Sequence, residues 1–192
     1  MKPRILVIDD EGAIRDSLRM ILEYEDYQFV GAASGQEGLA LVQRERPDLV
    51  MLDIKMPTLD GISAARRIAA ARIAPVVMLT AFSQRDLVEQ ARDAGALAYL
   101  VKPFSKSDLA PAIEIAVSRF AELGELEREV ADLNERLASR RAVDRAKSIL
   151  QQSLAISEPE AFRWIQKTAM DLRLSMRSVA EGVIEHGPAM RG

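Results

Sequence analysis

Four short polar segments hold the residues whose types could do chemistry together: Asp9-Asp10, Asp53, Thr80 and Lys102-Pro103. Each follows or ends a short apolar run, and in open α/β sheets functional groups collect at the carboxyl ends of strands. Carboxylates converging there would repel strongly unless a cation lay between them. Hard oxygen donors suit Mg²⁺, which takes one or two carboxylates, waters and a phosphate oxygen. A lysine adds a point charge for a phosphoryl oxygen, and a threonine hydroxyl adds a hydrogen bond. The chemistry implied is phosphoryl transfer to a carboxylate. Singly, each residue has an ordinary explanation: Asp10 as a helix N-cap, Thr80 as a packed β-branched side chain, Lys102 as a surface charge. The constellation is far more specific than its members.

The elements that must position these residues are legible between residues 4 and 104. Apolar runs occur at Ile5-Leu-Val-Ile8, Phe29-Val30, Leu49-Val-Met-Leu52, Val76-Val-Met-Leu79 and Leu97-Ala-Tyr-Leu-Val101. Three of them lack in/out alternation, as parallel strands buried on both faces do. Amphipathic helical stretches, such as Ile14, Leu18, Ile21 and Leu22, lie between them. The alternation predicts a doubly wound α/β domain with a five-stranded parallel sheet.

Beyond Ser105 the strand signal ends. Leu109, Ile113, Ala116 and Phe120 predict a fifth helix, and the apolar spacing then changes period. Leu123, Leu126, Val130, Leu133 and Leu137 follow a 3, 4, 3, 4 spacing, a heptad seam flanked by acidic residues. The expectation is a short coiled coil, although a single amphipathic helix lying on its own domain would also fit the pattern. Two short helices should follow. Ser157-Glu-Pro-Glu160 reads as an N-cap with a capping box and a first-turn proline, Ser175 as the cap of the last helix, and Gly187-Pro188 as its end. Met176, Val179, Ala180 and Val183 should face inward on the last helix, and Phe162, Ile165, Ala169 and Leu172 on the one before it. Trp164 falls about 100° off that stripe by the helical period, which suits either packing or base stacking. The sole histidine, His186, is expected to be a charge or cap at a helix C-terminus.

The domain boundaries expected are 1–120 for the α/β domain, 121–138 for the coiled-coil linker and 139–192 for a helical output module. Charge follows this division. Residues 121–138 hold two basic against six acidic residues, whereas 139–192 hold nine basic against six acidic, a weak pointer to an anionic partner. Cysteine is absent, which excludes a disulfide framework and a thiolate metal site. No apolar run approaches the roughly 20 residues of a membrane span, and the N-terminal residues lack a signal-peptide pattern. A cytoplasmic location is the expectation.

Asp-Asp, Asp53-Ile-Lys-Met-Pro with Asp60-Gly61 downstream, Thr80-Ala81 and Lys102-Pro103 together resemble a response-regulator receiver domain, of the flavodoxin-like topology. The resemblance implies that Asp53 is the phosphoacceptor, and that Asp9, Asp10 and Asp53 hold Mg²⁺ with the backbone carbonyl of Lys55. It implies that Lys102 and Thr80 stabilise the phosphoryl group, that Thr80 and Tyr99 form the switch, and that a cis peptide precedes Pro103. A cognate histidine kinase is the implied donor. The chain itself would be a phosphoryl acceptor with slow self-dephosphorylation rather than an enzyme.

The tail resembles the ANTAR domain of RNA-binding antiterminators, over roughly 125–186. The resemblance rests on Arg140-Arg-Ala-Val-Asp-Arg-Ala-Lys147, Ser157-Glu-Pro-Glu-Ala-Phe-Arg-Trp-Ile165, Thr168-Ala-Met-Asp171 and Leu174-Ser-Met-Arg-Ser-Val-Ala-Glu181. Ser148 and Leu172 depart from its usual small and basic residues. The implied partners are RNA hairpins, with a possible homodimer through the coiled coil. Arg145, Lys147, Arg163, Lys167, Arg177 and Trp164 are the candidate RNA contacts. On pattern alone, a DNA-binding helix-turn-helix variant and a protein-interaction adaptor stay open.

Overall fold

The computed structural model describes residues 2–57, 59–81 and 85–188, and divides into two compact units, Met1–Gly124 and Glu125–Gly192. The first holds five parallel strands, β1 (Arg4–Ile8), β2 (Gln28–Ala32), β3 (Leu49–Asp53), β4 (Val76–Ala81) and β5 (Ala98–Lys102). Helices α1 (Gly12–Tyr24), α2 (Gly35–Glu45), α3 (Gly61–Ala70) and α4 (Arg85–Asp93) connect them. The strand order is β2-β1-β3-β4-β5, so the chain winds outward from β1 in both directions, the order of flavodoxin-like sheets.

The unbroken apolar runs have a direct cause. Successive strand side chains point to opposite faces, and both faces are covered. Leu6, Ile8, Val50, Leu52 and Met78 pack on one face with Leu41, Val42, Ala64 and Ile68 of α2 and α3. Ile5, Val7, Met51, Val77 and Leu79 pack on the other with Leu18 and Leu22 of α1, and with Leu109, Ile113 and Ala116. β2, an edge strand, reads weakly in the sequence: only Ala32 of its five residues is buried.

The fifth helix and the heptad segment form one helix, α5 (Lys106–Leu154), of 49 residues. The seam residues Leu126, Val130, Leu133 and Leu137 are all at least half exposed. Helices α6 (Glu158–Leu172) and α7 (Met176–His186) complete the C-terminal unit. The expected caps are in place. The Glu160 carboxylate accepts from both the backbone N–H and the hydroxyl of Ser157, at 2.8 and 2.6 Å. Ser175 Oγ accepts from the Ser178 N–H at 3.0 Å. The turn between α6 and α7 manages without glycine by placing Arg173 in the left-handed region (φ 54°). His186, the last residue of α7, is exposed.

One sequence expectation is corrected. Phe162 and Leu172 do not face the core of the C-terminal unit: they are 42% and 46% exposed. The inward stripe of α6 is Ala161, Ile165 and Ala169, with Trp164 packed beside it, against Ala146, Leu150, Val179, Ala180 and Val183. Both stripes have helical spacing. Close approach of α6 and α7 to the last turns of α5 selects the one whose alanines allow contact, while the larger side chains are turned outward.

Candidate functional site

The four polar segments meet at the carboxyl edge of the sheet because parallel pairing brings the strand ends together. Asp53 ends β3 and is paired with Leu79; Thr80 and Ala81 extend β4 one and two residues further, opposite Val101 and Lys102 of β5. Asp9 follows β1 directly, and its N–H still donates across the sheet to the Ala32 carbonyl at 3.2 Å.

Lys102 is at the centre of the cluster. Its Nζ lies 2.7 Å from Asp9 Oδ2 and 2.7 Å from Asp53 Oδ1. Asp9 is fully buried, and its other oxygen accepts from the Glu11 N–H at 2.9 Å. Asp10 is exposed, yet one oxygen each of Asp9, Asp10 and Asp53 lie within 4.8 Å of one another. A donor set of three carboxylates fits a hard divalent cation such as Mg²⁺. Burial raises the Asp53 carboxyl above the ordinary carboxylate range, with the Asp9 charge adding to it against the lowering pull of Lys102 and of the Lys55 N–H. Burial opposes the Lys102 ammonium, but its hydrogen bonds to Asp53 and Asp9 outweigh that and raise it.

The loop after Asp53 is fixed by contacts that only glycine permits. A Cβ on Gly61 would lie 1.9 Å from the Asp53 carbonyl oxygen. The Gly61 N–H donates to the Ile54 carbonyl at 2.9 Å, and Asp60 caps α3 through the Ser63 N–H at 2.8 Å. That cap holds the Asp60 carboxyl below its ordinary range. The phosphoacceptor candidate is thereby pinned from both sides of the loop.

The two switch candidates lie on the neighbouring strands β4 and β5. Thr80 is buried, and its hydroxyl donates to the Ala81 carbonyl at 3.3 Å. Tyr99, paired with Met78 in the sheet, is 56% exposed. The peptide before Pro103 is cis, as expected. The sequence reading missed Arg15, whose Nη1 donates to the Asp9 carbonyl at 2.6 Å. It sits on α1 with no motif to flag it; only the fold brings its guanidinium to the strand end. Glu11, 3.8 Å from the Lys102 ammonium, was missed likewise.

Of the candidate RNA contacts, Lys147 and Arg177 line one groove. Lys147 is mostly buried between Asp144 and Glu158, at 2.8 and 2.6 Å. Arg177 pairs with Glu135 and with Glu181. Arg145, Arg163 and Lys167 are exposed, and Trp164 packs against the core of its unit while staying partly exposed.

A parallel sheet of this order carrying paired aspartates, a third aspartate and a lysine at its carboxyl edge defines the receiver class of signalling proteins. The model of the response regulator receiver domain matches residues 5–114, and that of the ANTAR domain matches 131–184. The chain belongs to the response regulators that join a receiver to an ANTAR output, an RNA-binding antitermination domain. It is 59% identical to the transcriptional regulatory protein PdtaR of Mycobacterium tuberculosis over 95% of this chain and 89% of that protein. Its N-terminal part is 36% identical to sporulation initiation phosphotransferase F of Bacillus subtilis, covering 59% of this chain and 93% of that one. A CheY-like receiver structure from Methanospirillum hungatei superposes with a TM-score of 0.59 at 32% identity, covering 64% and 98% of the two chains. Among the described residues no helix is long and apolar enough to cross a membrane.

Proposed function

We propose that Asp53 accepts a phosphoryl group from a histidine kinase, and that this acceptance governs the binding of RNA hairpins by residues 139–192 and hence antitermination. The observation that carries the reading is the Lys102 ammonium, held 2.7 Å from both Asp9 and Asp53. A buried lysine shared by carboxylates is placed to trade one of them for a phosphoryl oxygen.

An Asp53 carboxylate oxygen attacks the phosphorus of phosphohistidine; the new P–O bond forms as the P–N bond breaks, and the imidazole leaves with the electron pair. Asp9, Asp10 and Asp53, with the Lys55 carbonyl, are the residues that would hold Mg²⁺. When bound, that ion neutralises negative charge on the transferring group. Lys102 passes from Asp53 to a phosphoryl oxygen while keeping Asp9. The Thr80 hydroxyl leaves the Ala81 carbonyl for a second phosphoryl oxygen, and Tyr99 takes up the space that Thr80 vacates. Slow hydrolysis of the acyl phosphate resets the site.

Residues 1–120 serve as the receiver, 121–138 as a coiled-coil linker, and 139–192 as the output. The exposed seam of α5 fits a second copy of the chain, since a strict heptad left in water has no packing partner of its own. Arg145, Arg163 and Lys167 are open to phosphates, whereas Lys147 and Arg177 must first exchange their carboxylates. We place the chain in the cytoplasm, where kinase and transcript are found.

The test is a titration of the full chain against a hairpin pool and a duplex DNA control, with and without beryllofluoride, and with Asp53→Asn as the non-accepting variant. Hairpin-selective, salt-sensitive binding strengthened by beryllofluoride only when Asp53 is present is the expected result. Preference for the duplex would favour a DNA-binding output, and binding to neither would favour a protein-interaction adaptor.

A further inference from the structure

The C-terminal unit contains a groove of about 660 Å³ between α5, the first turns of α6 and the start of α7. Four of its lining residues are cations, Arg136, Arg140, Lys147 and Arg177, against two carboxylates, Glu135 and Asp144. The ring of Phe162 also lines it and is 42% exposed. The fold of the unit does not need that ring, because Ala161, Ile165, Ala169 and Trp164 already supply the packing face of α6. An aromatic ring kept in water among cations matches single-stranded RNA recognition, where bases stack on aromatic faces and basic side chains take the flanking phosphates.

The carboxylates fit the same picture. Arg177 is held by Glu135 and by Glu181, the latter at 2.7 Å. Lys147 is held by Asp144 and Glu158. Arg140 makes no ion pair within 4 Å among the described residues, although its charge acts on the nearby Asp144 carboxyl and lowers it. Arg140 is therefore the groove cation least committed to a carboxylate, and Arg177 is kept in place by two exposed carboxylates that a phosphate can compete with.

We propose that this groove receives one unstacked base of an RNA loop on the face of Phe162, with Arg140 and Arg177 on the phosphates beside it. The proposal rests on the RNA-binding reading of the module and names where in it the loop is read. Arg177 leaves Glu135 as the RNA enters, so the acidic segment before the output module competes with RNA for the same guanidinium. Trp164, the more conspicuous aromatic in the sequence, has no part in the contact.

The experiment uses the full chain and a hairpin pool with a randomised loop, from which a tight binder is selected. Phe162→Leu is expected to weaken that hairpin by about tenfold, while Phe162→Trp retains binding. Glu135→Gln is expected to tighten binding and Arg140→Ala to weaken it. Bromouridine placed in the loop and irradiated on the unmodified chain should cross-link to the peptide containing Phe162, a readout that does not depend on any variant folding. Wild-type affinity in Phe162→Leu, or cross-links mapping only elsewhere, would overturn the groove while leaving hairpin binding intact. An unmodified chain that binds no hairpin would overturn the RNA reading itself, and the groove with it.

Discussion

The two units treat charge in opposite ways. At the sheet edge of the N-terminal unit, Asp9 is fully buried and Lys102 mostly so, with an ion pair of 2.7 Å between them. In the C-terminal unit, Lys147 and Arg177 also carry two carboxylate partners each, but those partners are largely exposed. Buried charges must come as a complete set, because a missing member leaves an unpaired ion in a low dielectric. Exposed pairs are screened by water and contribute little individually. The first arrangement is a cluster with a fixed membership, as the proposed phosphoryl transfer requires; the second is a surface whose pairs a ligand could exchange, as the proposed RNA binding requires.

The difference can be broken most forcefully at Lys102. Lys102→Met leaves Asp9 and Asp53 buried without a counter-charge and should destabilise the metal-free protein by about 3 kcal/mol, read from urea unfolding. Added Mg²⁺ should then stabilise the variant more than the parent, because its binding is linked to the same carboxylates. An unchanged urea midpoint would mean that the buried set is not interdependent.

Gly61→Ala comes next. Its Cβ would press on the Asp53 carbonyl at 1.9 Å, so the loop must shift. Overpacking of this kind costs about 1–3 kcal/mol, and phosphorylation by a small phosphodonor should slow as well. A variant with parental stability and rate would show that the loop yields freely.

Ser175→Ala sharpens the comparison from the other side. It removes the acceptor for the Ser178 N–H at the start of α7, a loss of about 1 kcal/mol confined to the C-terminal unit. Hydrogen exchange should report it in α6 and α7 and leave the sheet untouched. Loss of protection in the sheet would mean that the two units unfold together.

The smallest effect on the folded chain is expected at the seam. Leu126→Lys with Val130→Lys alters side chains that are 57% and 56% exposed, so the stability of the single chain should change by less than about 0.5 kcal/mol per site. Sedimentation should nevertheless show weakened self-association. A large loss of stability at low concentration would mean that the seam is covered by the chain's own residues.

The sheet and the polar cluster at its carboxyl edge were legible in the sequence for a physical reason. Strands buried on both faces leave continuous apolar runs, and a chain that buries aspartates must also supply their lysine, so period and composition carry the signal. Asp53, Lys102 and the cap at Ser157 needed only local spacing to be read. What the tertiary structure decided are the matters in which two arrangements have the same local pattern. Phe162 and Ala161 satisfy the helical period equally well, and only the close approach of α5, α6 and α7 turned the alanine inward and the ring outward. Arg15 reaches the Asp9 carbonyl because α1 returns over the strand end, a contact six residues apart that no spacing rule singles out. The pairing of Arg177 with Glu135 joins residues 42 apart; it exists only once α7 has folded back beside α5, since a long-range ion pair is set by packing and not by the order of residues along the chain.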